Sequence, residues 1–384
     1  MKKVIEQIEK NHESMLDYLK QIVEHESYST DKEKLDVLAE WLSEAFKELV
    51  GGTTSIIKIE KYGNHVRCEW GEGPNQILIL SHFDTVWPIG TLKNNPFRIE
   101  DGVAKGPGVF DMKGGLVQGL FALKALRETG IQLNKKIVFF FDSDEEIGNP
   151  TSKSFIEEEA KKSDYVFVLE PGMTLEGGIK TSRKGVGVYK LEITGIPAHS
   201  GIDPEKGVSA IDELAKQIVK LHEVTNFSTG TTINVGKISG GSATNVMAEK
   251  ATADIDVRAK TASELKKIHE MIMNLKPIKD NILLKVTGEI NRMPLERTDS
   301  VISMFGTAQM IAKKQIGFDL VEKETGGGSD GNLTAPFAPT LDGLGAVGDG
   351  AHANHEHLLV NHMNERCALL AGLLIEYAGI KKGE

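Results

Sequence analysis

At 384 residues and 41.9 kDa the chain has length for two to three domains at about 150 residues each, with ample material for a core. Its 45 Lys and Arg against 55 Asp and Glu leave a formal charge of -10 and a pI near 5.7, which argues against a nucleic-acid-binding surface or a polybasic membrane anchor. The two cysteines, Cys68 and Cys367, can make one bridge at most, so no disulfide framework is expected. The first residues carry Glu6, Glu9 and Glu13 where a signal peptide needs its apolar core. With no run of roughly 18 apolar residues, a cytoplasmic chain without membrane contact is expected.

Helical spacing of Ile5, Ile8, Met15, Leu16, Leu19, Ile22 and Val23, then of Leu35, Leu38, Trp41, Leu42, Phe46 and Leu49, predicts two amphipathic helical segments. Strand-like stretches follow in SIIKIE from Ser55, VRCEW from Val66 and ILIL from Ile77 to Leu80. ILIL, IVFFF from Ile137 and YVFVL from Tyr165 are apolar on both faces, as strands between helix layers are. Helical patterns through Leu116, Val117, Leu120 and Leu123 and from Ser152 to Ala160 alternate with them. The fold class predicted is α/β, a mostly parallel sheet flanked by helices.

Beyond about Gly185 the order becomes strand, helix, strand, strand, helix, strand, with Val186–Ile193, Val208–Leu221, TTINVGKI, ATADIDVR, Leu265–Leu275 and NILLKV as its members. That is the order of a ferredoxin-like α+β unit. A helix from Val301 to Lys314, a Gly-rich loop, an apolar strand near Leu341 and a helix from Met363 to Tyr377 then resume the first pattern. The expected organisation is a catalytic domain at 1–182 and 295–384, with a smaller domain inserted at 183–294.

Polar residues follow each buried strand. ILIL runs into Ser81-His82-Phe83-Asp84, IVFFF into Asp142-Ser143-Asp144-Glu145-Glu146, and YVFVL into Glu170-Pro171-Gly172. In an open α/β sheet such strand ends share one crevice. Asp111, ending a Gly-rich loop before a helix, and AHANHEH with His352, His355 and His357 are further candidates. An HxD pair or a DEE run taken alone is ordinary loop sequence; the shared strand-end position is what distinguishes these. His12, His25, His65, His222, His269 and His362 read as helix-surface or strand-edge residues. So many carboxylates in one crevice repel unless cations neutralise them. Mixed imidazole and carboxylate ligation suits two zinc ions, with cobalt or manganese as substitutes.

At these residues the sequence resembles the zinc-dependent metallopeptidase and deacylase family that includes glutamate carboxypeptidase, aminoacylase, acetylornithine deacetylase and succinyl-diaminopimelate desuccinylase. The segments that carry the resemblance are SHFDTVW, GPGVFDMKGG, DSDEEIG, LEPG, GIPAHSG, GGSATNV, DIDVRA, TGGGSDGN and AHANHE. The Gly-rich loop is closest to the glutamate carboxypeptidase branch, from which TSRKGVG, with its Arg183-Lys184 pair, departs. The resemblance implies that Asp111 bridges two metals, with His82 and Glu170 completing one site and Glu146 and His352 the other; His355 is the alternative to His352. It implies a cis peptide after Asp111, and it places Asp84 behind His82, where a carboxylate fixes the ring tautomer.

Three carboxylates, two divalent cations and a bridging hydroxide form a neutral cluster, which leaves Glu145 as general base. Because neighbours in an extended chain point apart, Glu145 and Glu146 are expected to take different roles. His199 is the candidate oxyanion donor, against a plain loop histidine. In relatives its equivalent reaches a neighbouring subunit, which implies a homodimer through the inserted domain. Arg258 and Asn245 resemble the family's substrate-carboxylate binders. Backbone N–H groups of Gly326, Gly327 and Gly328 are candidates for the same group. Arg292 either reads an acidic side chain or is a surface arginine near the hinge. The expected activity is a dinuclear zinc exopeptidase of carboxypeptidase type, acting on a small peptide next to a free carboxylate. The alternatives are an N-acyl amino acid deacylase and, in another class, a non-catalytic metal-containing binding protein.

Overall fold

Strands that are apolar on both sides need a layer of helix on each side, and the computed structural model, which describes residues 1–381, supplies both. In chain order the strands of the two main sheets are β1 (Thr53–Ile57), β2 (His65–Trp70), β3 (Gln76–His82), β4 (Lys136–Asp142), β5 (Ser163–Val168), β6 (Gly185–Thr194), β7 (Thr232–Gly240), β8 (Lys250–Ala259), β9 (Leu283–Arg292) and β10 (Thr340–Leu341). The chain divides into two compact units. The larger comprises residues 1–181, 297–324 and those from Ser329 onward; the smaller comprises 182–296 with 325–328.

The larger unit is built on a six-stranded sheet of order β1-β2-β4-β3-β5-β10. β4, β3, β5 and β10 run parallel, and β2 and β1 extend one edge antiparallel. Ile77, Ile79, Phe139, Phe141 and Phe167 share one core with helices that include Lys32–Val50, Gly114–Glu128 and Met363–Ala378. Leu78, Leu80, Val138, Phe140, Val166 and Val168 point the other way, into a core with Ile156, Ala160 and Leu333. Each such side chain contributes about 1.5–3 kcal/mol relative to exposure, which holds strand register and therefore fixes where β3, β4 and β5 end. Helix Gly114–Glu128 is buried on nearly all sides, so its apolar residues run round it rather than along one stripe.

Two differences from the sequence expectation have local causes. The first helical segment is two helices, Lys2–Lys10 and His12–Glu24, parted at Asn11, whose side chain donates to Glu128 Oε2 at 2.7 Å. A four-stranded sheet of Gly348–Asp349, His357–Leu359, Val103–Lys105 and Arg98–Glu100 was not expected, because strands of two or three residues are too short to show a period.

The smaller unit has the order β6, helix Ala210–His222, β7, β8, helix Ala262–Met273, β9, with its sheet ordered β7-β8-β6-β9 and antiparallel throughout. Ser209 and Thr261 cap the two helices, accepting from the N–H groups of Asp212 and Glu264. Tyr189, Leu191, Leu214, Ile255, Leu265 and Ile268 belong to a core of its own. Among the described residues no helix is long and apolar enough to cross a membrane.

Candidate active site

The carboxyl ends of β3, β4 and β5 lie side by side because these strands are parallel and in register. His82 is the last residue of β3 and sits opposite Asp142 at the end of β4. Glu170 follows β5 by two residues. Its carbonyl accepts from Gly345 N at 2.9 Å, and Leu169 N donates to Leu80 O at 3.0 Å. A Cβ on Gly345 or on Gly115 would lie 2.1 Å from the Leu169 carbonyl oxygen, so both positions require glycine. The buried Arg366 donates to the carbonyls of Gly177, Gly343, Leu344 and Gly345 and so pins the segment that holds Glu170.

Glu145 and Glu146 lie on one 3-10 turn, Glu145–Ile147, not on extended chain. The reason is Asp84: its two carboxylate oxygens accept from the N–H groups of Glu145 and Glu146, each at 3.2 Å, and wind the turn. Asp84 also lies behind His82, with Oδ1 3.4 Å from Nδ1 and its backbone carbonyl 3.1 Å from the same nitrogen. Nε2 of His82 is thereby turned toward Asp111 Oδ1 at 3.4 Å and Glu170 Oε1 at 3.7 Å.

Asp111 stands between two imidazoles. Its other oxygen is 3.4 Å from Nε2 of His352, which is also 3.1 Å from Glu146. His352 lies between the strands Gly348–Asp349 and His357–Leu359 with φ +61°, a conformation uncommon outside glycine. His355 sits beside Gly350 instead. The Asp111–Met112 peptide is cis. Ligand atoms of His82, Asp111 and Glu146 lie within 4.8 Å of one another, as do those of His82, Glu145 and Glu170. Glu145 is thus inside the same cluster.

Burial opposes charge on all these groups, and the cluster overcomes it for the imidazoles. Burial lowers His82, but Asp111 and Asp84 hold it well above the ordinary histidine value. Contacts with Asp111 and Glu146 raise His352 to about 10. Burial pushes Asp111 up, yet His352 and His82 bring it well below the usual carboxylate range. Burial, with the field of Asp111, takes Glu146 up to about 8. The carboxylates therefore stabilise positive charge at this point.

Residues 78–376 match Peptidase family M20/M25/M40. The chain is 30% identical over 312 residues to carboxypeptidase G2 of Pseudomonas sp. (strain RS-16), covering 80% of this chain and 75% of that one. The chain belongs to the M20/M25/M40 peptidase family. It is 25% identical over 357 residues to succinyl-diaminopimelate desuccinylase of Ehrlichia canis (strain Jake), covering 86% of this chain and 90% of the relative. The crystal structure of aminopeptidase PepT from Bacillus cereus ATCC 10987 superposes with a TM-score of 0.78 at 24% identity, covering 96% of this chain and 99% of that one. As a member of the M20/M25/M40 family, the protein is a hydrolase of peptide or amide bonds.

The donor set of this M20/M25/M40 chain fits metal binding. Among the described residues the buried Asp111 Oδ1 has no hydrogen-bond partner, and two imidazoles with four carboxylates are the ligands that zinc-like cations take.

The remaining predicted residues belong to the smaller unit. His199 and Asn245 are exposed and adjacent: Ser200 N donates to the Asn245 carbonyl at 3.0 Å, and His199 Nδ1 accepts from Gly201 N at 3.1 Å. Arg258 donates through Nε and Nη2 to Asp256 at 2.9 Å and through Nη1 to Gly326 O at 3.4 Å. Arg292 is buried, 6% exposed, with its side chain beside Gly328, and is not a surface arginine. The N–H of Gly327 donates to Thr325 Oγ1 at 3.3 Å, and the carbonyls of Gly327 and Gly328 accept from Arg183 Nη1 at 3.2 and 3.0 Å.

Sequence reasoning overlooked two residues of the larger unit. His65, read as a strand-edge histidine, is fully buried; its ring nitrogens lie 3.0 Å from Thr151 Oγ1 and 3.2 Å from Ser143 Oγ, bracing the loop after β4. Glu356 is the other. Its carboxylate accepts from the backbone of Gly108, Phe110 and Asp111 and from the Trp87 indole; in the sequence its place shortly after His352 and before an apolar segment serves only to mark that histidine, and gives Glu356 itself no role.

Proposed function

We propose that the protein is an exopeptidase that hydrolyses an amide next to a free carboxylate with two zinc ions. The observation that carries this reading is Asp111, whose two oxygens face different imidazoles, each at 3.4 Å. His82 and Glu170 would share one cation with Asp111, and Glu146 and His352 would share the other. Bound there, two divalent cations supply Lewis acidity toward a scissile carbonyl and lower the pKa of water. Glu145 is the general base: its carboxylate takes a proton from the attacking water and passes it to the leaving nitrogen. Asp84 keeps His82 in the tautomer that presents Nε2 and anchors the turn bearing Glu145 through that residue's N–H. His199 donates to the developing oxyanion, from a partner subunit in a homodimer built through the smaller unit. Arg258, Asn245, Gly327 and Gly328 bind the substrate's carboxylate end, and Arg292 reads an acidic side chain of the substrate.

N-acyl amino acid deacylation is the second reading, favoured by similarity to the Ehrlichia canis desuccinylase along 86% of the chain. The zinc-loaded protein, given dipeptides with varied C-terminal residues beside N-acetyl and N-succinyl amino acids, decides between them. Turnover of dipeptides with a free C-terminus, abolished by amidation, is expected. Turnover of the acyl amino acids alone would transfer the assignment to deacylase.

A further inference from the structure

Glu356 is buried, 1% exposed, and is none of the proposed metal ligands. Four donors converge on its carboxylate. Oε1 accepts from the N–H groups of Phe110 at 2.9 Å and Asp111 at 3.0 Å; Oε2 accepts from Gly108 N at 2.9 Å and from Trp87 Nε1 at 2.6 Å. The Gly-rich loop is shaped around this carboxylate: Gly108 has φ +71°, and a Cβ there would lie 2.5 Å from Thr85 Cγ2. The backbone of Glu356 is fixed as well, since its N–H donates to Ala353 O at 2.9 Å and the next residue, His357, pairs with Lys105.

One side chain thus ties together the segment after β3 that carries Trp87, the loop that ends at Asp111 and the hairpin that carries His352. Only an anion satisfies four N–H donors at once; an amide would turn an N–H toward some of them. We infer that Glu356 is a positioning residue that sets the separation of Asp111 and His352, and with it the affinity of the cation position these two share with Glu146. This rests on the ligand assignment proposed above. A glutamate that served only the fold would, when replaced, affect both cation positions alike or neither.

Cobalt(II) titration of the metal-free full chain, followed by visible absorption and calorimetry, tests this in wild type, Glu356→Gln and Trp87→Phe. Wild type is expected to take up two equivalents. In Glu356→Gln one step is expected to weaken about 10- to 100-fold, as when a group that orients a ligand is lost, with changed absorption for that step; the other step, which shares Asp111 but not His352, is expected to weaken less. Trp87→Phe leaves the three backbone donors in place and is expected to weaken the same step by a smaller factor; it decides the question by itself if Glu356→Gln fails to fold by circular dichroism. Variants that match wild type in both steps and spectra, or lose both steps equally, overturn the positioning role alone. Wild type taking up fewer than two equivalents overturns the ligand assignment beneath it.

Discussion

Glu145 and Glu146 are chain neighbours on one turn, yet Glu146 is the one 3.1 Å from His352, and substitution separates their work. Glu145→Ala is expected to keep its metal and lose about 100- to 10,000-fold in turnover, the range for a general base, whereas His82→Ala and Asp111→Ala lose metal and turnover together. Elemental analysis beside a peptide-hydrolysis assay reads both; an active Glu145→Ala enzyme would remove the base assignment. Residues such as His82 and Glu170 were legible because they break apolar runs at strand ends. Glu356 and Arg366 were not, because what they hold is mostly backbone. Glu356 reaches the Gly108 and Asp111 N–H groups 248 and 245 positions earlier, and Arg366 spends its donors on four carbonyls. No side-chain pattern records a partner of that kind.

Elements were legible where packing left a run or a period: the strands buried on both faces showed as unbroken apolar runs, and those of the small unit by their alternation. The turn at Glu145 and the hairpin at His352 were not, since a side-chain cap from Asp84 and a positive φ decide them. How tightly elements meet near the site is testable with glycines. In Gly345→Ala the new Cβ would stand 2.1 Å from the Leu169 carbonyl and 2.9 Å from that of Glu170, so backbone must move; a loss of about 2–4 kcal/mol in urea unfolding is expected. Gly306→Ala, in the helix Asp299–Ile311 with nothing within 4 Å, is expected to gain about 0.5–1 kcal/mol.

Helix Lys153–Lys161 is tied to the sheet by Glu159, which accepts from Gln76 at 2.9 Å and Arg67 at 3.2 Å. Burial raises Glu159, but hydrogen bonds from Arg67, Gln76 and Lys162 outweigh it and bring the group down from its ordinary 4.5 to about 2. A folded-state value below the unfolded one means stability that is complete above 4.5 and lost as pH falls toward 2. Glu159→Gln is therefore expected to cost about 2 kcal/mol at neutral pH, allowing for solvent screening, and the difference from wild type should fall to a few tenths of a kcal/mol, about RT ln 2, near pH 2 and vanish below it. Denaturant midpoints across that range measure it; a pH-independent difference would remove the ion-pair account.

On the scale of the whole chain, the two units have separate hydrophobic cores, and this bears on how metal stabilises the protein. The candidate ligands come from five stretches of the larger unit, around residues 82, 111, 146, 170 and 352, that only folding brings together. A cation bound among them has no comparable site in the unfolded chain, so it stabilises by RT ln(1 + [L]/Kd), about 2.7 kcal/mol at a hundredfold excess over Kd. At about 2–4 °C per kcal/mol for a unit of this size, zinc should raise the larger unit's melting temperature by about 5–10 °C, and a chelator should reverse the shift. The smaller unit holds none of those five residues and gains nothing directly. Calorimetry of the chelated and zinc-loaded chain is thus expected to show two overlapping transitions, of which zinc moves one. Two transitions moving equally would mean that the units unfold as one body, and neither moving would mean that no cation is held where Asp111 and its neighbours meet.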